Sequence, residues 1–117
     1  DGDPELAEAL DRWELSLFQN EPFRGEQLRA AFSALLGDTW PLRCSVLLAE
    51  DGGAREVLYG QLLALAGGEQ AGPTTLDTAR KAIVAVLRSR DRVELVHDLD
   101  RQLLGLPRRA PLRAAAV

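Results

Sequence analysis

Residues 74–105, TTLDTARKAIVAVLRSRDRVELVHDLDRQLLG, decide the fold, and they read as two short helices meeting at Asp91. Thr74 with Asp77, and Asp91 with Glu94, each have capping-box spacing, in which a side-chain oxygen and a carboxylate three residues on serve amides that the first helical turn leaves unpaired. Leu76, Ala79, Ile83, Val86 and Leu87 then fall at steps of three and four, as do Val93, Val96, Leu99 and Leu103 after Asp91. The first helix ends in Arg88 and Arg90, favourable charges at a helix C-terminus, and the second stops at Gly105 ahead of Pro107. Neither helix buries its apolar face alone, so the rest of the chain must cover them.

Upstream, Asp3, Pro4 and Glu5 mark a helix start: a capping aspartate, a proline whose missing amide costs nothing, and an acid facing the dipole. Leu6, Leu10, Trp13 and Leu17 form its stripe, with Phe18 beside it, and Asn20 to Gly25 breaks the pattern with Phe23 expected to pack inward. A second helix is expected from Glu26 to Leu36, presenting Leu28, Ala31, Phe32, Leu35 and Leu36 and capped by Gly37. Cys44 to Leu48 has the period of either a buried strand or a helix; Pro41 suits a first helical turn and no other segment offers a pairing strand, so the reading is helix. Asp51 to Gly53 turns the chain. A fourth helix, Ala54 to Ala66, carries Val57, Leu58, Leu62 and Leu65, with Gly60 read as a close helix crossing. The result is an all-α fold, a compact bundle of about six short helices joined as a Greek key or as stacked helical hairpins. Residues 1–105 form a single helical domain in this reading, and residues 106–117 a flexible tail.

Composition bounds the function. The chain of 117 residues has one cysteine, Cys44, and hence no internal disulfide, and its apolar runs are far too short to span a bilayer. An intracellular protein, cytoplasmic or nuclear, is expected. The chain begins at Asp1 and lacks methionine, so it reads as an excised fragment or a processed product. Twelve acids face five bases in residues 1–60 and six face nine in residues 61–117, so the net charge of -4 divides into -7 and +3. Such halves can meet in neighbouring molecules, head to tail.

Residues 82–96, AIVAVLRSRDRVELV, resemble the last two helices of death-fold domains, the death effector branch in particular. Arg92-Val93-Glu94-Leu95 approaches that branch's arginine, any residue, aspartate, leucine signature with Glu94 in place of the aspartate, while in the register set by Asp91 the arginine position holds Ser89. The resemblance implies an adaptor module that assembles through charged and apolar helix faces.

No chemistry is signalled. Glu94 and His97 have one copy of the Glu-x-x-His spacing used by helical di-metal sites, which need two copies and further glutamates, and His97 is the only histidine. No phosphate-cradling glycine loop or nucleophile elbow is present, so neither catalytic residues, metal nor cofactor is expected. The reading is a non-enzymatic protein-interaction domain that presents a helix face to a helical segment of a protein partner, or to itself. Its alternative is nucleic-acid binding by the basic 80–113 region, diluted by Asp91, Glu94, Asp98 and Asp100. The residues expected to touch a partner are Trp40, as an exposed aromatic anchor beside Pro41; Arg88, Arg90 and Arg92; and Val117, whose terminal carboxylate a partner domain can take up as an added strand.

Overall fold

The computed structural model describes residues 2–106. Among them are six helices and no strand: α1 (Pro4–Ser16), α2 (Phe23–Leu36), α3 (Trp40–Leu48), α4 (Gly52–Ala66), α5 (Pro73–Arg88) and α6 (Arg92–Leu103). The fold is all-α, and Cys44 lies in a helix. The expected tail lies outside the described residues from 107 onward, Val117 included.

Three aspartates start helices, Asp3 and Asp91 as their spacing predicts and Asp51 in place of the expected turn, so that α4 begins at Gly52 rather than Ala54. Asp3 accepts from the amides of Glu5 and Leu6 at 3.1 Å, Asp51 from Ala54 at 2.8 Å, and Asp91 from Val93 and Glu94 at 2.8 and 3.3 Å. The Thr74 box does not form. α5 starts two residues earlier, with Gly72 rather than Thr74 at the N-cap and no side-chain cap, and Asp77 turns to Arg80 and Lys81 instead. Proline in the first turn starts α5 unaided because its fixed φ suits the helix and its lost amide has no partner there. α2 likewise starts at Phe23 rather than Glu26, which leaves Phe23 on the surface at 57% exposure instead of packed inward.

All six helices contribute to one core cluster, centred on Leu28, Phe32, Leu35 and Leu36 of α2 and Trp40, Cys44 and Val46 of α3. α1 and α2 pack as a hairpin of chain neighbours, α3 packs on α2, α4, α5 and α6, and α5 also lies on α1 and α2. Apolar stripes hold in mid-helix and fail at helix ends. Leu6, Leu10, Trp13, Leu76, Ala79, Ile83, Val86, Val96 and Leu99 pack as their spacing requires, whereas Leu17, Leu87, Val93 and Leu103 project into solvent. Val57 is exposed too, and Gly60 is not a crossing point, since a Cβ there meets nothing within 4 Å.

Arginine forks close the helix ends. Arg43 donates Nη1 to the Leu36 carbonyl at 2.6 Å and grips Asp100 of α6 bidentately at 2.9 Å. Arg92 donates to the Leu35 carbonyl at 3.1 Å and to Asp3 of α1 at 2.6 Å, with Glu5 at 3.4 Å. The last turn of α2 is therefore tied to α1, α3 and α6 through two guanidinium groups, whose planar fork serves a carbonyl and a carboxylate together. Arg29 and Arg55 donate to single carbonyls at the ends of α4 and α3, those of Leu65 and Ala49.

Candidate functional site

The residues expected to face a partner separate into three groups. Trp40 is not exposed: at 6% exposure it stacks on Phe32 with ring centroids 4.8 Å apart and planes 8° apart. As the first residue of α3 it folds back on α2, which corrects its reading as an exposed anchor. Arg92 is not a surface residue either. Placed immediately after the capping Asp91, it turns inward onto Asp3 and Leu35, with only 13% of its side chain exposed. Arg88 and Arg90 remain on the surface and make no ion pair or hydrogen bond among the described residues. Val117 lies outside the described residues.

Arg88 and Arg90 share the α5–α6 turn with two exposed apolar side chains, Leu87 and Val93. The other bases of the region are occupied among the described residues. Arg80 and Lys81 both bind Asp77, at 2.8 and 3.2 Å, and Arg101 also has a partner. Those bonds hold the Asp77 carboxyl below its ordinary pKa, the Arg80 hydrogen bond contributing most.

A second surface, which the sequence reading missed, lies at the far end of α1. Phe18 is 86% exposed just past the helix, with Leu15, Leu17 and Phe23 also exposed at the same end of the α1–α2 hairpin. Asp11, Glu14 and Leu15 fall at i, i+3 and i+4 on the face of α1 opposite the buried Ala9 and Ser16, so acids and apolar side chains share one outer stripe. Beneath the corner, Trp13 Nε1 and Gln19 Oε1 are buried without a hydrogen-bond partner among the described residues. Phe18 had one signal in the sequence: it stands beside the stripe of Leu6, Leu10, Trp13 and Leu17 rather than on it.

A third feature is an open cleft of about 480 Å³ between α4 and the start of α5, lined by Val57, Gly60, Gln61, Glu69, Gln70 and Thr75 among others. A smaller hollow of about 260 Å³ continues it past Leu58, Thr74 and Thr78. Gly60, lacking a side chain, leaves the cleft floor open. Its lining holds hydroxyls, amides and a single carboxylate, with no nucleophile-base pair.

The two side chains with most chemical potential lie apart from these surfaces. Cys44 is fully buried in α3, and burial pushes its thiol up to about 12, so the thiolate needed for nucleophilic or metal chemistry does not form near neutral pH. His97 stands exposed on α6, with no group of three potential metal ligands among the described residues. No described helix is long and apolar enough to cross a membrane. Compared with family models, curated proteins and solved structures, the chain matches none.

Proposed function

We propose that this is a non-enzymatic, helical protein-interaction module that docks a helical segment of a protein partner through the α1–α2 corner. The observation that carries this reading is the cluster of Leu15, Leu17, Phe18 and Phe23, four large apolar side chains exposed at one end of one hairpin. Scattered surface leucines need no explanation, but four large apolar side chains exposed within residues 15–23, with acids beside them, point to an interaction site. Asp11 and Glu14 on α1 and Glu26, one turn after Phe23 on α2, supply that rim; of the bases beside it, Arg12 pairs with Glu8 and donates to Gln27, and Arg24 donates to the Gln19 carbonyl. Exposed acids beside arginines that are already engaged favour a partner helix whose apolar face is flanked by lysine or arginine. The likeness of residues 82–96 to closing helices of death-fold domains points the same way, toward an adaptor.

The test is an NMR titration with a synthetic amphipathic leucine-lysine helix, beside a leucine-glutamate helix of the same length. The cationic helix should shift amides from Leu15 to Glu26, and the anionic one should not. The double variant Phe18→Ser, Phe23→Ser should retain the helical spectrum and melting point while losing the shifts. Shifts confined to other regions, or shared equally by both peptides, would remove this reading. Duplex DNA tests the alternative: phosphate binding predicts affinity that falls steeply with salt and vanishes on charge reversal at Arg88 and Arg90.

A further inference from the structure

We propose that the partner includes a second copy of this chain: the acidic, apolar α1–α2 corner of one molecule docks on the basic, apolar α5–α6 turn of the next, giving open head-to-tail association. This rests on the reading of the corner as a docking surface and adds what occupies it.

The placement of the two surfaces follows from α1. Its N-terminal cap, Asp3, is bonded to Arg92 at the α5–α6 turn, at 2.6 Å. Phe18 lies fifteen residues further along, and at 1.5 Å per residue the helix carries it roughly 20 Å away. The turn and the corner thus lie at opposite ends of α1, too far apart to satisfy each other within one chain. Each has what the other lacks. Arg88 and Arg90 stand between exposed Leu87 and Val93, while Asp11 and Glu14 run into exposed Leu15 and Phe18.

The charges near the turn favour this pairing. Asp3 and Glu5 are engaged by Arg92, and the Asp91 carboxylate is held by the amides of Val93 and Glu94. Glu94 and His97 are the remaining exposed titratable groups on the first turns of α6. Arg88 and Arg90 thus keep their charge available to another molecule. A symmetric contact of corner on corner would set Asp11 and Glu14 against their own copies, and turn on turn would set arginine against arginine, so both two-fold arrangements are repelled. A heterologous contact whose rotation does not close builds chains rather than dimers.

Four apolar side chains on one side and two on the other make a small patch, below the roughly 1,200 Å² of a stable interface. The association is therefore weak, reversible and steered by charge. Raising salt from about 20 mM to about 500 mM shortens the screening length from roughly 20 Å to roughly 4 Å and should dissolve it.

Sedimentation velocity on the whole chain across a concentration series tests this. At low salt the average mass should rise with concentration past that of a dimer. Arg88→Glu with Arg90→Glu should be monomeric, because its turn and corner are both acidic, and so should Asp11→Arg with Glu14→Arg, whose turn and corner are both basic. An equimolar mixture of the two variants should associate again, since every contact across it is complementary; a merely destabilised fold has no such rescue. A wild-type chain that stays monomeric, a plateau at dimer, unchanged association in either variant or an inert mixture would each overturn the proposal. If the chain is monomeric yet the cationic helix still shifts the corner amides, self-association falls and the interaction reading stands; if neither binds the corner, both fall.

Discussion

Among single residues, Trp40 carries the largest stake. Its ring lies flat on Phe32 at the centre of the core, so Trp40→Ala should lower stability by about 3–5 kcal/mol, read from the shift in urea midpoint. Gly37 is constrained twice. Its φ of +84° belongs to the left-handed region, and a Cβ there would stand 2.7 Å from Arg43 Nη1, the nitrogen that holds the Leu36 carbonyl. Gly37→Ala should therefore cost about 1–3 kcal/mol, more than the same change at Gly60, where the space is open. A thiol reagent at pH 8 should leave folded Cys44 untouched and label it at the rate of unfolding, since burial keeps the thiol protonated. The glycine cap was legible because Gly after a run of apolar periodicity has one common use. The Trp40 stack was not: periodicity places a residue on a face of its own helix, whereas Trp40 crosses back to a neighbour eight positions earlier.

Between elements, ends matter more than faces. Asp3 and Asp91 were readable from spacing because a cap is a local bond, whereas Asp51 was read as a turn because two glycines follow it. Asp91→Ala should destabilise by about 1 kcal/mol. The arginine forks were invisible because their partners lie 57 and 89 residues away in sequence. Arg88, Arg90 and Arg92 look alike as a string, yet the helix that Asp91 starts turns the third one inward. Arg92→Ala takes the guanidinium from Asp3 Oδ2 and the Leu35 carbonyl, leaves Asp3 only its helix-cap amides, and should cost about 2 kcal/mol. The Arg92 hydrogen bond, ahead of other contributions, holds the Asp3 carboxyl below its ordinary 3.8. A depressed folded value means that the bond stabilises fully above pH 3.8 and fades as pH drops through the lower, folded value. Urea midpoints measured from pH 7 to pH 2.5 should fall below about pH 4 in the wild type, with a shallower fall in Arg92→Ala. The stripes that overshot, at Leu17, Leu87, Val93 and Leu103, share one cause: a helix end runs past the partner it packs on, so periodicity continues where burial does not.

At the scale of the whole molecule, sequence alone was enough for the all-α class, since six capped or proline-started segments without a β-rich pair leave little else. The corner surface was missed because exposure at a hairpin end depends on which helix happens not to cover it. The same overshoot that confuses periodicity creates both proposed contact surfaces, at opposite ends of one rigid α1. One further consequence lies in α4. Of its fifteen residues only Leu62 and Leu65 are buried, and an open cleft separates it from the start of α5. Its amides should exchange with deuterated solvent well before those of α2 and α3, because detaching it exposes few side chains. α4 then hangs from the core chiefly by Leu62, Leu65 and the two arginine bonds at its ends, and the hollow beside it marks the side on which it is least held.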